Sequence, residues 1–155
     1  MMQILDSQTG QKQSRHDEGK IVLGSLLIQT GWVGLGGAVG SMLRFALAAG
    51  AERLFGAEKF PIGTILVNVL GSMAIGYLTV RFEESAVSHV YRVAILVGLL
   101  GGFTTFSSFS LNTIQLIFER EYTLAIVNVV GSVLLCLAGC WLGFRIARGL
   151  EAGFV

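Results

Sequence analysis

The chain has 155 residues, of which 53% are hydrophobic and 14% charged, with 21 glycines and a formal net charge of +1. Together with a mean hydropathy of +0.71, this composition predicts a single membrane domain and excludes a nucleic-acid-binding surface, which needs a strong basic excess. Neither a nucleophile–base pair nor a His/Cys/Asp/Glu cluster at ligand spacing stands out, so the sequence carries no enzyme signature.

In chain order, residues 1–20 are polar and mixed in charge and predict a disordered tail. The apolar run after Lys20 is too long and continuous for a signal peptide. Residues 21–150 form the membrane domain. Its four charge-free runs, Ile21 to Leu43, Phe60 to Val80, Val93 to Phe118 and Tyr122 to Phe144, each reach the ~20 residues needed to span a bilayer core of about 30 Å. The runs predict four transmembrane helices over about 28–50, 61–82, 91–118 and 122–145, so both termini share one side.

The connectors are short. Glu119-Arg120-Glu121 predicts a tight turn between antiparallel helices, and Pro61 stands in a first helical turn, where its missing N–H costs little. Trp32, Tyr77, Tyr91 and Trp141 fall toward the side of the termini and suit an aromatic belt. That side carries seven Lys or Arg residues (Lys12, Arg15, Lys20, Arg81, Arg92, Arg145, Arg148) against three (Arg53, Lys59, Arg120) on the other. The excess favours cytoplasmic termini, but without residues 1–20 it nearly vanishes, which leaves insertion in both orientations open.

Glycine pairs four apart, Gly36/Gly40, Gly98/Gly102 and Gly139/Gly143, predict close helix crossings. Cys136 and Cys140, one turn apart in an apolar run, read as packing residues. The glycine-rich run Gly34 to Gly40 lacks the strand and spacing of a nucleotide-binding loop.

The third run holds Gly101-Gly102-Phe103-Thr104-Thr105-Phe106-Ser107-Ser108-Phe109-Ser110 at its centre, where a lipid-facing helix would hold leucines. A mid-membrane helix break is expected there, and broken backbone is tolerated in a membrane only where protein or a wet cavity satisfies it. Depth counting at about 1.5 Å per residue brings Asn68, Asn128, Phe106 and Arg44 to one level, roughly 10 Å below the outer surface. Intramembrane Ser72, Ser132 and Asn128 could serve as interhelical glue or line a path. Arg44 either faces water and a ligand or snorkels to the interface. The phenylalanines at 103, 106 and 109 could be core packing, or could turn their electropositive ring edges toward an anion. No Asp or Glu stands inside a run, which argues against a small proton-coupled multidrug exporter, the alternative considered, because such a carrier needs a titratable group at depth.

Three stretches then match a known pattern: Gly37-Ala38-Val39-Gly40-Ser41-Met42-Leu43-Arg44-Phe45, Gly63-Thr64-Ile65-Leu66-Val67-Asn68-Val69-Leu70-Gly71, and the segment Gly101 to Ser110. They resemble the signatures of the Fluc (CrcB) fluoride channel family, over roughly Trp32 to Arg145. The resemblance implies an all-α membrane protein working as an antiparallel, dual-topology homodimer in the cell inner membrane, in contact with lipid. Such a channel exports fluoride passively and lowers its toxicity in the cytosol. By motif position, Phe106, Phe109 and Asn68 would line the fluoride pore with Ser132, Thr105 and Ser108, and Arg44 matches the first-helix arginine. Gly101 and Thr104 would hold a structural sodium ion through backbone carbonyls at the dimer interface. The basic tail, without counterpart in shorter members, leaves open a heterodimer with an oppositely oriented paralogue.

Overall fold

The computed structural model describes the backbone of residues 2–56 and 59–152, and the side chains of residues 20, 22–56 and 59–149. Every regular element among them is helical: α1 (Met2–Phe55), α2 (Ile62–Glu84), α3 (His89–Val93), a π-helical turn (Ala94–Leu99), α4 (Leu100–Phe103), α5 (Phe106–Phe118) and α6 (Tyr122–Ala152). Four stretches are long and apolar enough to cross a membrane: Val22–Phe55, Ile62–Glu84, His89–Phe118 and Tyr122–Gly149.

These are the four expected spans, longer at most ends. Charged residues mark where a helix leaves hydrocarbon but do not stop its hydrogen bonding, so α6 continues through Arg145 and Arg148. α1 departs furthest from expectation. Its backbone is helical back to Met2, where polar composition predicts disorder. Once an apolar segment has nucleated a helix, each further residue adds a hydrogen bond, and no proline interrupts this one.

Where helices do end, local chemistry ends them. Gly56 follows α1 with φ 58° and donates its N–H to the Glu52 carbonyl at 3.1 Å, a left-handed cap that glycine adopts freely. After α5 the chain closes a Schellman motif. Arg120 N–H reaches the Ile117 carbonyl at 3.0 Å and Glu121 N–H the Leu116 carbonyl at 2.8 Å. Arg120 holds the left-handed position, at φ 63°, and the turn sends α6 back antiparallel to α5.

α1 packs mainly on the π-helical turn and α4, and α2 mainly on α6. Glycine makes both contacts possible. A Cβ on Gly36 or Gly40 would run into backbone of the π-helical turn or α4, and one on Gly98 or Gly102 into backbone of α1 at Val33 or Gly37. Gly76 and Gly143 play the same part between α2 and α6, against Cys140 and Met73. At the end nearer the termini, the Trp32 and Tyr91 rings lie 6.0 Å apart, and the Arg145 guanidinium sits 5.5 Å from the Trp141 ring, an arrangement suited to a membrane–water boundary.

Candidate functional site

Between α4 and α5 the backbone leaves helical geometry for two residues. Thr104 adopts φ −85°, ψ 156° and Thr105 φ −150°, ψ 114°. Both are extended, as β-branched residues prefer. Thr105 then acts as the N-cap of α5: its Oγ1 accepts from Ser108 N–H at 3.1 Å and lies 3.1 Å from the hydroxyls of Ser107 and Ser108. On the other side, Thr104 N–H and Oγ1 both donate to the Leu100 carbonyl at 3.0 Å. The threonines thus satisfy much of the interruption locally.

The rest comes from α2. Asn68 Nδ2 donates to the Thr105 carbonyl at 3.0 Å, while Asn68 Oδ1 accepts from Thr105 N–H at 2.7 Å. This two-way clamp takes up both backbone groups of one residue, a match that the geometry of a side-chain amide allows. It also redirects donors. Thr105 N–H would serve the Gly101 carbonyl in a continuous helix, and Ser108 N–H would serve Thr104; instead they go to Asn68 and to Thr105 Oγ1. The carbonyls of Gly101 and Thr104 therefore lack their i+4 donors. Gly101 is exposed, with open space beside it. Two backbone oxygens of this kind fit a hard monovalent cation such as sodium.

A cavity of about 380 Å³ opens at the break. Asn68, Thr105, Phe106, Phe109 and Ser132 line it, with Gly101, Thr104, Ser72 and Cys136. The Phe106 and Phe109 rings lie 5.3 Å apart and tilted by 42°, and Phe106 is 79% exposed, which is high for a phenylalanine in a packed core. Ser132 reaches this wall while its hydroxyl donates to Asn128 Oδ1 at 3.4 Å. Of the residues named from sequence, Asn68, Phe106, Phe109, Ser132, Thr105, Gly101 and Thr104 come together here. Ser108 and Arg44 do not. They line a second cavity of about 260 Å³ behind Thr105, bounded by α1, α2 and α5, and Arg44 makes no ion pair or hydrogen bond among the described residues.

Depth counting placed Asn128 level with Asn68. The structure keeps it away from the break. Asn128 is fully buried and donates through Nδ2 to Thr113 Oγ1 at 2.8 Å, roughly 10 Å along α5 from Phe106 by helical rise. Sequence reading also passed over Asn112 and Thr64, whose Oγ1 donates to Asn112 Oδ1 at 3.0 Å. The available signal was spacing: Thr105, Ser108, Asn112, Gln115 and Glu119 recur at intervals of three and four and mark one polar stripe on α5.

Several known proteins are similar to this chain. The family described as CrcB-like protein, Camphor Resistance (CrcB), matches residues 31–144. The chain is 46% identical over 124 residues, 78% of its own length and 93% of the relative's, to a protein of Opitutus terrae named "Fluoride-specific ion channel FluC". Relatives with the same name are 44% identical in Methylococcus capsulatus, over 78% of this chain and 53% of that one, and 39% identical in Sorangium cellulosum, over 79% and 96%. The chain belongs to the CrcB-like family.

Proposed function

We propose that the chain is a channel that conducts fluoride passively across the cytoplasmic membrane and lowers cytosolic fluoride. The names of its relatives support the substrate. The observation that carries the reading is the Asn68–Thr105 clamp, which opens the third span beside two tilted phenylalanines. Fluoride is small and strongly hydrated, so a pore must replace its water with donors. The second Nδ2 proton of Asn68 and the electropositive ring edges of Phe106 and Phe109 can supply them at this cavity, while the hydroxyl protons of Thr105 and Ser132 go to Ser108 Oγ and Asn128 Oδ1. Arg44 adds positive charge, with no carboxylate among the described residues that line its cavity. In this reading the break lies within the membrane, because only protein and a wet cavity could satisfy it there.

The working unit in this reading is an antiparallel pair of chains, ordinarily two copies. Each chain carries its polar layer off-centre, so an inverted partner adds the mirror layer and covers the exposed Phe106. The carbonyls of Gly101 and Thr104 of each chain would hold a structural sodium ion, whose positive charge would tie the two breaks together. Excess basic charge on the side of the termini would favour one insertion direction, and an oppositely inserted paralogue could then supply the second chain.

The test is efflux from fluoride-loaded liposomes with the proton gradient collapsed by a protonophore. Continued fluoride efflux, lowered at least about tenfold in Phe106→Ile, is the expected result, on the scale of one lost interaction with a charged group. Efflux that stops with the proton gradient would overturn the channel reading and favour a proton-coupled carrier.

A further inference from the structure

α1 is longer than the membrane it crosses. Its apolar stretch, Val22–Phe55, has 34 residues and rises about 51 Å, against a hydrocarbon core of about 30 Å. From Trp32, which meets Tyr91 at one boundary, to Glu52 near the other, the helix already rises about 30 Å. Residues 20–31 therefore stand beyond the boundary on the side of the termini. They also lie almost wholly ahead of the family match, which begins at residue 31.

This leading arm is apolar and has no cover within the chain. Val22, Leu23, Leu26, Leu27 and Ile28 are each more than half exposed, and Gly24 and Gly31 have nothing within 4 Å of an added Cβ. At 100° per residue, Val22, Leu23, Leu26 and Leu27 fall on one stripe about 140° wide. Lys20 stands at its edge, Gln29 beside it, and Ser25 and Gly24 lie well round the helix from it. Ile28 alone breaks the pattern.

The helix is built to bend where the arm meets the span. Gly31 and Gly34 both have open space around them, and the Thr30 hydroxyl donates back to the Leu26 carbonyl at 2.8 Å. Glycines and threonine bonds of this kind are recurrent causes of helix bending. A straight continuation would carry the leucine stripe into water, whereas a bent one lays it on the bilayer that the same helix has just left.

We propose that residues 20–31 are a lipid-docking arm. α1 bends between Thr30 and Gly34, the arm lies along the bilayer surface on the side of the termini, Val22, Leu23, Leu26 and Leu27 enter the acyl boundary, and Lys20 extends to the lipid phosphates. Lipid suits the stripe better than a second copy does, because in an antiparallel pair the two arms leave opposite faces of the membrane. The inference goes beyond the fluoride reading and holds whatever ion the chain carries.

The experiment uses the full chain in vesicles of phosphatidylcholine and phosphatidylglycerol. Leu23→Cys, Ser25→Cys, Leu26→Cys and Gln29→Cys are placed singly in a Cys136→Ser, Cys140→Ser background and spin-labelled. Collision with oxygen, which concentrates in lipid, and with a neutral nickel chelate, present in the water on both sides, then gives the depth of each label. Labels at Leu23 and Leu26 should lie about 5–10 Å into the headgroup and acyl boundary, with that at Ser25 in water and that at Gln29 between. Four labels in water would overturn the proposal, as would four at lipid depth with no helical alternation, the pattern of a tilted span. Labels at Leu23 and Leu26 shielded from both reagents would overturn it in favour of a second protein chain on the stripe.

Discussion

Two hexapeptides almost repeat in this chain, Val67-Asn68-Val69-Leu70-Gly71-Ser72 on α2 and Val127-Asn128-Val129-Val130-Gly131-Ser132 on α6, yet their asparagines do opposite things. Asn68 is half-buried and clamps the extended Thr105 at the mouth of a cavity. Asn128 is fully buried and ties α6 to Thr113 of α5. The glycines differ as well: Gly71 lies against Thr104 and the Phe103 ring, whereas Gly131 faces open space. An intramembrane amide therefore takes its role from what stands opposite. Facing an intact helix it is glue, and facing an interrupted one it completes a site.

Alanine at each asparagine gives the sharpest contrast. Asn68→Ala strands the N–H and C=O of Thr105 and should lower fluoride flux at least about tenfold, the scale of losing hydrogen bonds that organise a charged ligand's path. Asn128→Ala should leave flux within about twofold, since a lost interhelical bond of this kind is worth only about 1 kcal/mol. Electrode-monitored efflux at matched protein density reads both. Equal losses would erase the distinction.

The glycines come next. A methyl on Gly71 collides with Thr104 Cγ2 and crowds the Phe103 ring at 3.1 Å, and overpacking of this type costs about 1–3 kcal/mol. Gly71→Ala should shift thermal unfolding in detergent downward and reduce flux, whereas Gly131→Ala, with nothing within 4 Å, should change neither.

On stability alone, Asn128→Ala should cost about 1 kcal/mol, measured by unfolding in a denaturing detergent titration, with Asn128→Asp worse because it replaces the donor to Thr113 with a second acceptor.

The smallest effect lies outside both hexapeptides, at the Lys59–Glu121 clip between the α1–α2 connector and the start of α6. The Glu121 carboxylate raises the Lys59 ammonium above its ordinary pKa. A raised folded-state pKa contributes stability below the unfolded value and loses it as pH rises through the folded one. Lys59→Gln should thus differ slightly from the unmodified protein near neutrality and not at all in strong alkali. The clip is exposed, so screening by salt should shrink even that difference.

The four spans were legible because hydrocarbon imposes a long charge-free run on any helix that crosses it. Helix ends were less so. Apolarity reports the membrane slab, whereas Gly56, Arg120 and the continuation of α6 past Arg145 depend on capping and on hydrogen bonding that charge does not interrupt. The π-helical turn at Ala94–Leu99 left no signal that composition or periodicity would detect. At the site, glycine, threonine and serine within an apolar run pointed to Thr104 and Thr105, and depth counting paired the region with Asn68. The same counting misplaced Asn128, which meets Thr113 well along α5 from the break, because counting from presumed span ends fixes neither a helix's tilt nor its height against its neighbours. Thr64 and Asn112 stayed hidden for a related reason. Each looks like an ordinary polar residue in its own run, and their meaning appears only when α2 and α5 bring them to 3.0 Å.

The central claim, passive and selective conduction of fluoride, is tested most directly by loading liposomes with fluoride or chloride and following each anion with its own electrode. The account predicts fast fluoride efflux with chloride retained, and efflux of both anions at similar rates, or of neither, would contradict it.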